Sequence, residues 1–224
     1  MPLIFQLSFA HPIARILKLA EPSDRASLAP SQRRLQRPPD FTGSRLNRFS
    51  QVFSRHGLPV AVFGALCLLV PDLRALLEQG LGSFLAAPTH YLTVGLAVFA
   101  ALLAYSFYLD RRLNPHTVAW MLYLLALSAW EEWVFRLVIP YYGELKGYDL
   151  RALVIGSNLL FGALHFFTLR WKWPWCLGAF LGGMALSRQM NLHFDLALVI
   201  GIHWIATYIN TPRLPGAGRK EDKV

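Results

Sequence analysis

The stretch Trp130-Glu131-Glu132-Trp133-Val134-Phe135-Arg136 sets two adjacent carboxylates and a guanidinium inside an apolar run covering about 118–140. Such a run is long enough to cross a bilayer, which takes roughly 20 apolar residues. A charge at the bilayer centre costs on the order of 3 kcal/mol on insertion scales. Three of them within six positions mark a site. Glu132 and Arg136 stand four apart, share a helical face and can pair, so they read as an internal brace. Glu131 lies about 100° further round the helix and has no such local partner, so burial bears hardest on it. A buried carboxyl of this kind is a candidate general base and acid.

Later apolar runs supply imidazoles. Phe161-Gly162-Ala163-Leu164-His165 puts His165 one helical turn after Phe161. In the last apolar run His203 is followed by Thr207 at four and Asn210 at seven, all three on one helical face. Asn210 also suits a helix C-cap. Counting the 1.5 Å helical rise from the expected outer ends puts Glu131 roughly 16 Å deep, His165 roughly 22 Å and His203 roughly 16 Å. Three helices thus bring one carboxylate and two imidazoles close to one level. One Glu and two His can hold zinc, and Glu131, His165 and His203 are the ligand set on that alternative. They do not form the His-Glu-x-x-His pattern of a zincin helix. The remaining histidines, His56, His90, His116 and His193, flank apolar runs, and His11 lies in the N-terminal arm; all read as interfacial.

The elements that must position these groups follow from composition. The 224 residues are 54% hydrophobic and 16% charged, against about 25% charged in soluble domains. Apolar runs occur at about 57–77, 88–109, 115–142, 150–169, 171–187 and 192–209, which predicts an all-α polytopic membrane protein of about six spans around a polar intramembrane cavity. The net charge of +9 sits in the arm and in short loops, as at cytoplasmic flanks of membrane helices, and neither finger spacings nor other nucleic-acid motifs are present. Lys and Arg alternate rich and poor along the loops with both termini rich, which predicts both termini in the cytoplasm. Residues 1–56 read as a basic arm broken by Pro22, Pro30, Pro38 and Pro39, with a short amphipathic turn at 12–20; 57–211 as the helical domain; 212–224 as a basic tail. Met1 to Ala10 lacks a preceding basic region, which argues against a cleaved signal. Cys67 and Cys176 are lone thiols in apolar runs, not a disulfide framework. Gly178 with Gly182 and Ala179 with Gly183 are small-xxx-small pairs that predict close helix packing.

Glu131-Glu132-x-x-x-Arg136, Phe161-x-x-x-His165 and the late His203, in this order on three hydrophobic segments, resemble the CPBP family of intramembrane endopeptidases. This is the CAAX-protease and bacteriocin-processing group, also called the Abi family. The likeness covers about 118–210, and the family-like core about 115–211. It implies that Glu131 and His165 activate a water to attack a peptide carbonyl, that Glu132 and Arg136 shape the site, and that His203 helps bind the oxyanion without a metal cofactor. The family pattern commonly continues His-x-x-x-Asn; here position 207 is Thr, with Asn210 one turn further. Leu137 stands where a glycine often follows the arginine. The expectation is hydrolysis of a peptide bond in a membrane-associated protein or peptide, in a multi-pass protein of a bacterial inner membrane. The alternatives are zinc-dependent hydrolysis and a non-catalytic immunity, chaperone-like or transport component that uses the polar cluster for binding.

Overall fold

The computed structural model describes residues 44, 46 and 48–215. The expected amphipathic turn at 12–20 and most of the basic tail lie outside them. Helix α1 runs over Phe49–Cys67 and bends by 107° into α2, Pro71–Gly80. A short α3, Gly82–Ala86, leads to α4, Pro88–Asp110. Then come α5, Pro115–Glu132, α6, Leu150–Leu164, α7, Trp173–His193, and α8, Leu196–Asn210. Among the described residues there is no strand.

The helix starts are written in the sequence. Pro71, Pro88 and Pro115 each sit in a first turn, where the missing N–H is no loss. Asn114, Asp149 and Asp195 are N-caps whose side chains accept from the backbone N–H of Thr117, Ala152 and Leu198 at 2.9, 2.8 and 3.0 Å. Three ends need the left-handed backbone without glycine: Arg111, Arg170 and Phe194 have φ of 55°, 56° and 47°. Each such residue costs roughly 1–2 kcal/mol and holds only where packing fixes the turn. Phe194 is held by an edge contact with the Tyr141 ring at 5.0 Å.

Three segments are wound as π-helix: Phe53–Gly57 within α1, Trp133–Tyr142 after α5, and His165–Leu169 after α6. Such winding is rare and recurs at functional sites. The second segment contains Pro140. A π ladder would pair the Phe135 carbonyl with residue 140, which has no N–H. Ser157 Oγ on α6 donates to that carbonyl instead, at 2.6 Å. The carbonyl that proline leaves open is thus satisfied from α6.

The helix through α5 and its π extension is the centre of the packing, with every residue from 131 to 138 buried. One apolar cluster gathers Trp133, Val134, Leu137 and Val138 with Phe161, Leu186, Met190 and Val199. A second gathers Trp120, Met121 and Leu124 with Leu102, Trp204 and Tyr208. Outward faces stay apolar: Leu92, Leu96 and Phe107 on α4 and Ile155, Leu159 and Phe167 along α6 and its extension are exposed. Exposed apolar surface of this kind fits lipid.

Several expectations change here. By length and composition two helices could cross a membrane, Pro88–Asp110 and Leu150–Leu169, or three if bent α1 and α2 form one span. The expected number was about six. The segment through 115–142 carries three charges, and α8, with 15 residues, spans about 22 Å against a hydrocarbon core of about 30 Å. The first run, expected at about 57–77 with a weak end interrupted by Pro71, Asp72 and Arg74, breaks at 68–70 before Pro71. The boundary expected between arm and helical domain at 56/57 falls inside α1. Of the small-residue pairs, Gly178 and Gly182 face open space. Gly183 does pack closely: a Cβ there would lie 2.9 Å from Arg136 Nη2 and overlap Asn158 Oδ1.

Candidate active site

The two carboxylates are divided as their spacing predicts. Glu132 and Arg136 are both fully buried, with Nε of the arginine 3.4 Å from Oε2 of the glutamate. The guanidinium lies over the Phe161 ring, 4.3 Å from its centroid, a cation–π contact that gains strength when desolvated. Phe161 joins the rest of the site as well. Its ring meets His165 edge-on at 4.5 Å and His203 at 5.9 Å.

His203, from α8, touches both carboxylates. Its Nδ1 is 2.7 Å from Glu132 Oε1, and its Nε2 is 3.7 Å from Glu131 Oε2. Glu132 therefore stands between Arg136 and His203 and orients the imidazole toward its neighbour. Trp204, the next residue, anchors α8 to α5 through Nε1 donating to the Met121 carbonyl at 3.0 Å.

His165 opens the π turn after α6. Its Nδ1 donates to the Phe161 carbonyl at 2.8 Å. A carbonyl can only accept, so the proton is on Nδ1 and Nε2 of the neutral ring keeps a lone pair. The ring packs against Trp171 at 4.6 Å.

The fourth contributor was not expected. His56, on the π turn of α1, was read as interfacial, yet it is 1% exposed and its Nε2 lies 2.7 Å from Glu131 Oε1. Its Nδ1 is 2.7 Å from Thr168 Oγ1, and the ring is 5.2 Å from that of His165. Glu131 is thus not without a partner. The partner comes from another helix, 75 positions earlier. No spacing rule reaches so far, and the adjacent Arg55 gives the segment an interfacial look. Thr168 was also missed, although it stands three positions after His165 and so on a shared face. Asn158, fully buried, donates to Val154 O and to Ser187 Oγ, both at 2.8 Å, and lies behind the guanidinium beside Gly183.

The structure brings together Glu131, Glu132, Arg136, Phe161, His165 and His203. Thr207 follows one turn after His203, half-buried. Asn210 does not join them: it is exposed, and its Nδ2 donates to the Ala206 carbonyl at 2.9 Å. Seven positions keep a residue on the same face but move it about 10 Å along the axis, which is too far.

This constellation decides the comparison with known proteins. Residues 113–209 match the Rce1-like family, type II CAAX prenyl endopeptidases. The matched segment holds the glutamates, Arg136, Phe161, His165 and His203. It bears out the family resemblance drawn from those motifs. No curated protein and no solved structure matches the chain. With the apolar helices, the Rce1-like match identifies an all-α membrane protein that carries a peptidase segment. His56 lies outside the matched residues.

Glu131 and both its imidazole neighbours on α1 and α6 offer ligand atoms within 4.8 Å of one another. Two hydrogen bonds of about 2.8 Å meeting near the tetrahedral angle span about 4.6 Å, a separation that lies within this limit. The same spacing defines the donors that could hold a metal ion: His56, Glu131 and His165. His203, expected as the third donor, is not among these three; its Nδ1 meets Glu132 and its Nε2 stands 3.7 Å from Glu131 Oε2.

Proposed function

We propose that the chain is an intramembrane endopeptidase of the glutamic type, acting on the prenylated C-terminal region of a membrane-associated protein. Glu131 is the general base: it takes a proton from a water held between its carboxylate and His165 Nε2. The water attacks the peptide carbonyl, and Glu131 then passes the proton to the leaving amine. His203, held by Glu132 and facing the Glu131 side, stabilises the developing oxyanion, an effect usually worth 10²–10³ in rate. Arg136 and Phe161 keep Glu132 and both imidazoles in place. Thr207 stands where the family pattern has its asparagine, and its hydroxyl is the available second donor. The observation that carries this reading is the convergence of Glu131, His165 and His203 in one buried cluster within the Rce1-like segment. The alternation of basic loops supports a bacterial inner membrane with both termini cytoplasmic.

A second reading is zinc-dependent hydrolysis, with His56, Glu131 and His165 as ligands. In its favour, the far nitrogen of each histidine is already bound, by Thr168 Oγ1 and by the Phe161 carbonyl, as is common behind metal ligands. Against it, zinc bonds of about 2.0–2.1 Å in a tetrahedron put ligand atoms about 3.3 Å apart. The 2.7 Å between His56 and Glu131 is a hydrogen-bond length.

The test is cleavage of a prenylated CAAX peptide by the purified protein in lipid. Wild type should cleave it, and Glu131→Gln and His165→Ala should lose at least about 10²-fold in kcat. A chelator should leave the wild-type rate unchanged. Undiminished cleavage by Glu131→Gln removes the mechanism, and loss with chelator restored by zinc establishes the second reading.

A further inference from the structure

The first helix contributes a residue that the matched segment lacks. We infer that His56 is a positioning residue for Glu131: anchored by Thr168, its ring holds Oε1 and leaves Oε2 as the basic oxygen. The inference rests on the glutamic reading above.

The proton positions can be followed atom by atom. Thr168 has one hydroxyl proton, and it is donated to the Leu164 carbonyl at 2.6 Å. Its Oγ1 must therefore accept at the 2.7 Å contact with His56, so His56 Nδ1 carries a proton. At the other end, Nε2 and Glu131 Oε1 are 2.7 Å apart, which requires one proton between them. Carried on Nε2 and donated to Oε1, that proton makes the ring an imidazolium and leaves Glu131 a carboxylate with Oε1 engaged. Oε2 is then the oxygen left for water, on the side where His203 Nε2 stands 3.7 Å away. Without this link only the 3.7 Å approach of His203 to Oε2 distinguishes the two carboxylate oxygens. With it the basic oxygen has a fixed place, and a general base acts only within hydrogen-bond reach of the proton it removes.

The scaffold fixes the ring as well. Arg55 donates from Nε to the Thr168 carbonyl and from Nη2 to the Phe167 carbonyl, each at 3.2 Å. These are end carbonyls of the π turn that begins with His165. A cation there satisfies groups the helix leaves open. The π turn bearing His56 is thereby tied to the π turn bearing His165, and Thr168 links one ring to the backbone of the other's helix. The peptidase site is complete only when α1 docks against the Rce1-like segment.

The experiment compares wild type, His56→Ala, His56→Gln, Thr168→Val and Glu131→Gln in lipid nanodiscs. Cleavage of a prenylated CAAX peptide is resolved into kcat and KM, and ring protons are read by 15N NMR of histidine-labelled protein. His56→Ala should lose on the order of 10²-fold in kcat with KM within about threefold. His56→Gln, which keeps a donor toward Oε1, should recover at least about tenfold of that loss. Thr168→Val, nearly isosteric, should fall between the two and abolish the His56 Nδ1–H signal that wild type shows. A His56→Ala enzyme with wild-type kcat, beside an inactive Glu131→Gln, overturns the inference and leaves the peptidase reading intact. So does a His56 ring whose Nδ1 is unprotonated. A wild type that cleaves nothing removes the peptidase reading, and the ring spectra then still decide whether His56 holds Oε1.

Discussion

The buried brace gives the sharpest prediction, because its perturbation isolates one charge. Arg136→Met keeps the length and most of the volume of the side chain, so the cavity contribution is small. What changes is the environment of Glu132. It loses the guanidinium at 3.4 Å and keeps only the His203 contact at 2.7 Å, at 0% exposure. Removing one partner of a buried pair costs about 3–5 kcal/mol, since the other charge stays buried. The remaining imidazole places the expected loss near the lower end, about 3 kcal/mol, even with the Phe161 contact also lost. For a chain of this size each kcal/mol moves the midpoint by about 2–4 °C, so Tm should fall by roughly 6–12 °C. Glu132→Gln/Arg136→Met removes both charges and should be more stable than Arg136→Met by at least about 1 kcal/mol. The assay is thermal unfolding in detergent across the four-member cycle. A fall of under about 2 °C for Arg136→Met, or strict additivity in the cycle, would refute the claim that these charges depend on each other.

Gly183→Ala should cost about 1–3 kcal/mol, because the new methyl meets Arg136 Nη2 at 2.9 Å and Asn158 Oδ1, and peptide cleavage should fall with it; Gly182→Ala, facing open space, is the neutral comparison in the same unfolding assay. Asn210→Ala should leave kcat within about twofold in the peptide assay, whereas Thr207→Val should lower it by about tenfold or more, separating the two polar residues that follow His203. Asp149→Ala should cost about 1 kcal/mol through its N-cap; Asp195→Ala should cost more on the same unfolding scale, because Asp195 is buried and also accepts from Tyr91.

The sequence by itself determined what depends on short separations and on solvent. Continuous apolar runs of about 20 residues point to helices where the chain meets lipid, since a helix pairs every backbone group within its own segment. The i,i+4 rule divided Glu132 from Glu131 and found the partner in Arg136. The motif order on three helices sufficed for the family, because its groups occur as local patterns with one helical geometry each. Tertiary structure decided what those patterns meet. Glu131 and His56 are 75 positions apart, and only the docking of α1 brings them within 2.7 Å. Asn210 shares a face with His203 by periodicity, but rise along the axis takes it out to the surface. Two small-residue pairs look alike in sequence, yet Gly183 meets Arg136 and Asn158 while Gly178 and Gly182 face open space. Periodicity sets the direction in which a side chain leaves its helix; which group stands there is set by how the helices pack.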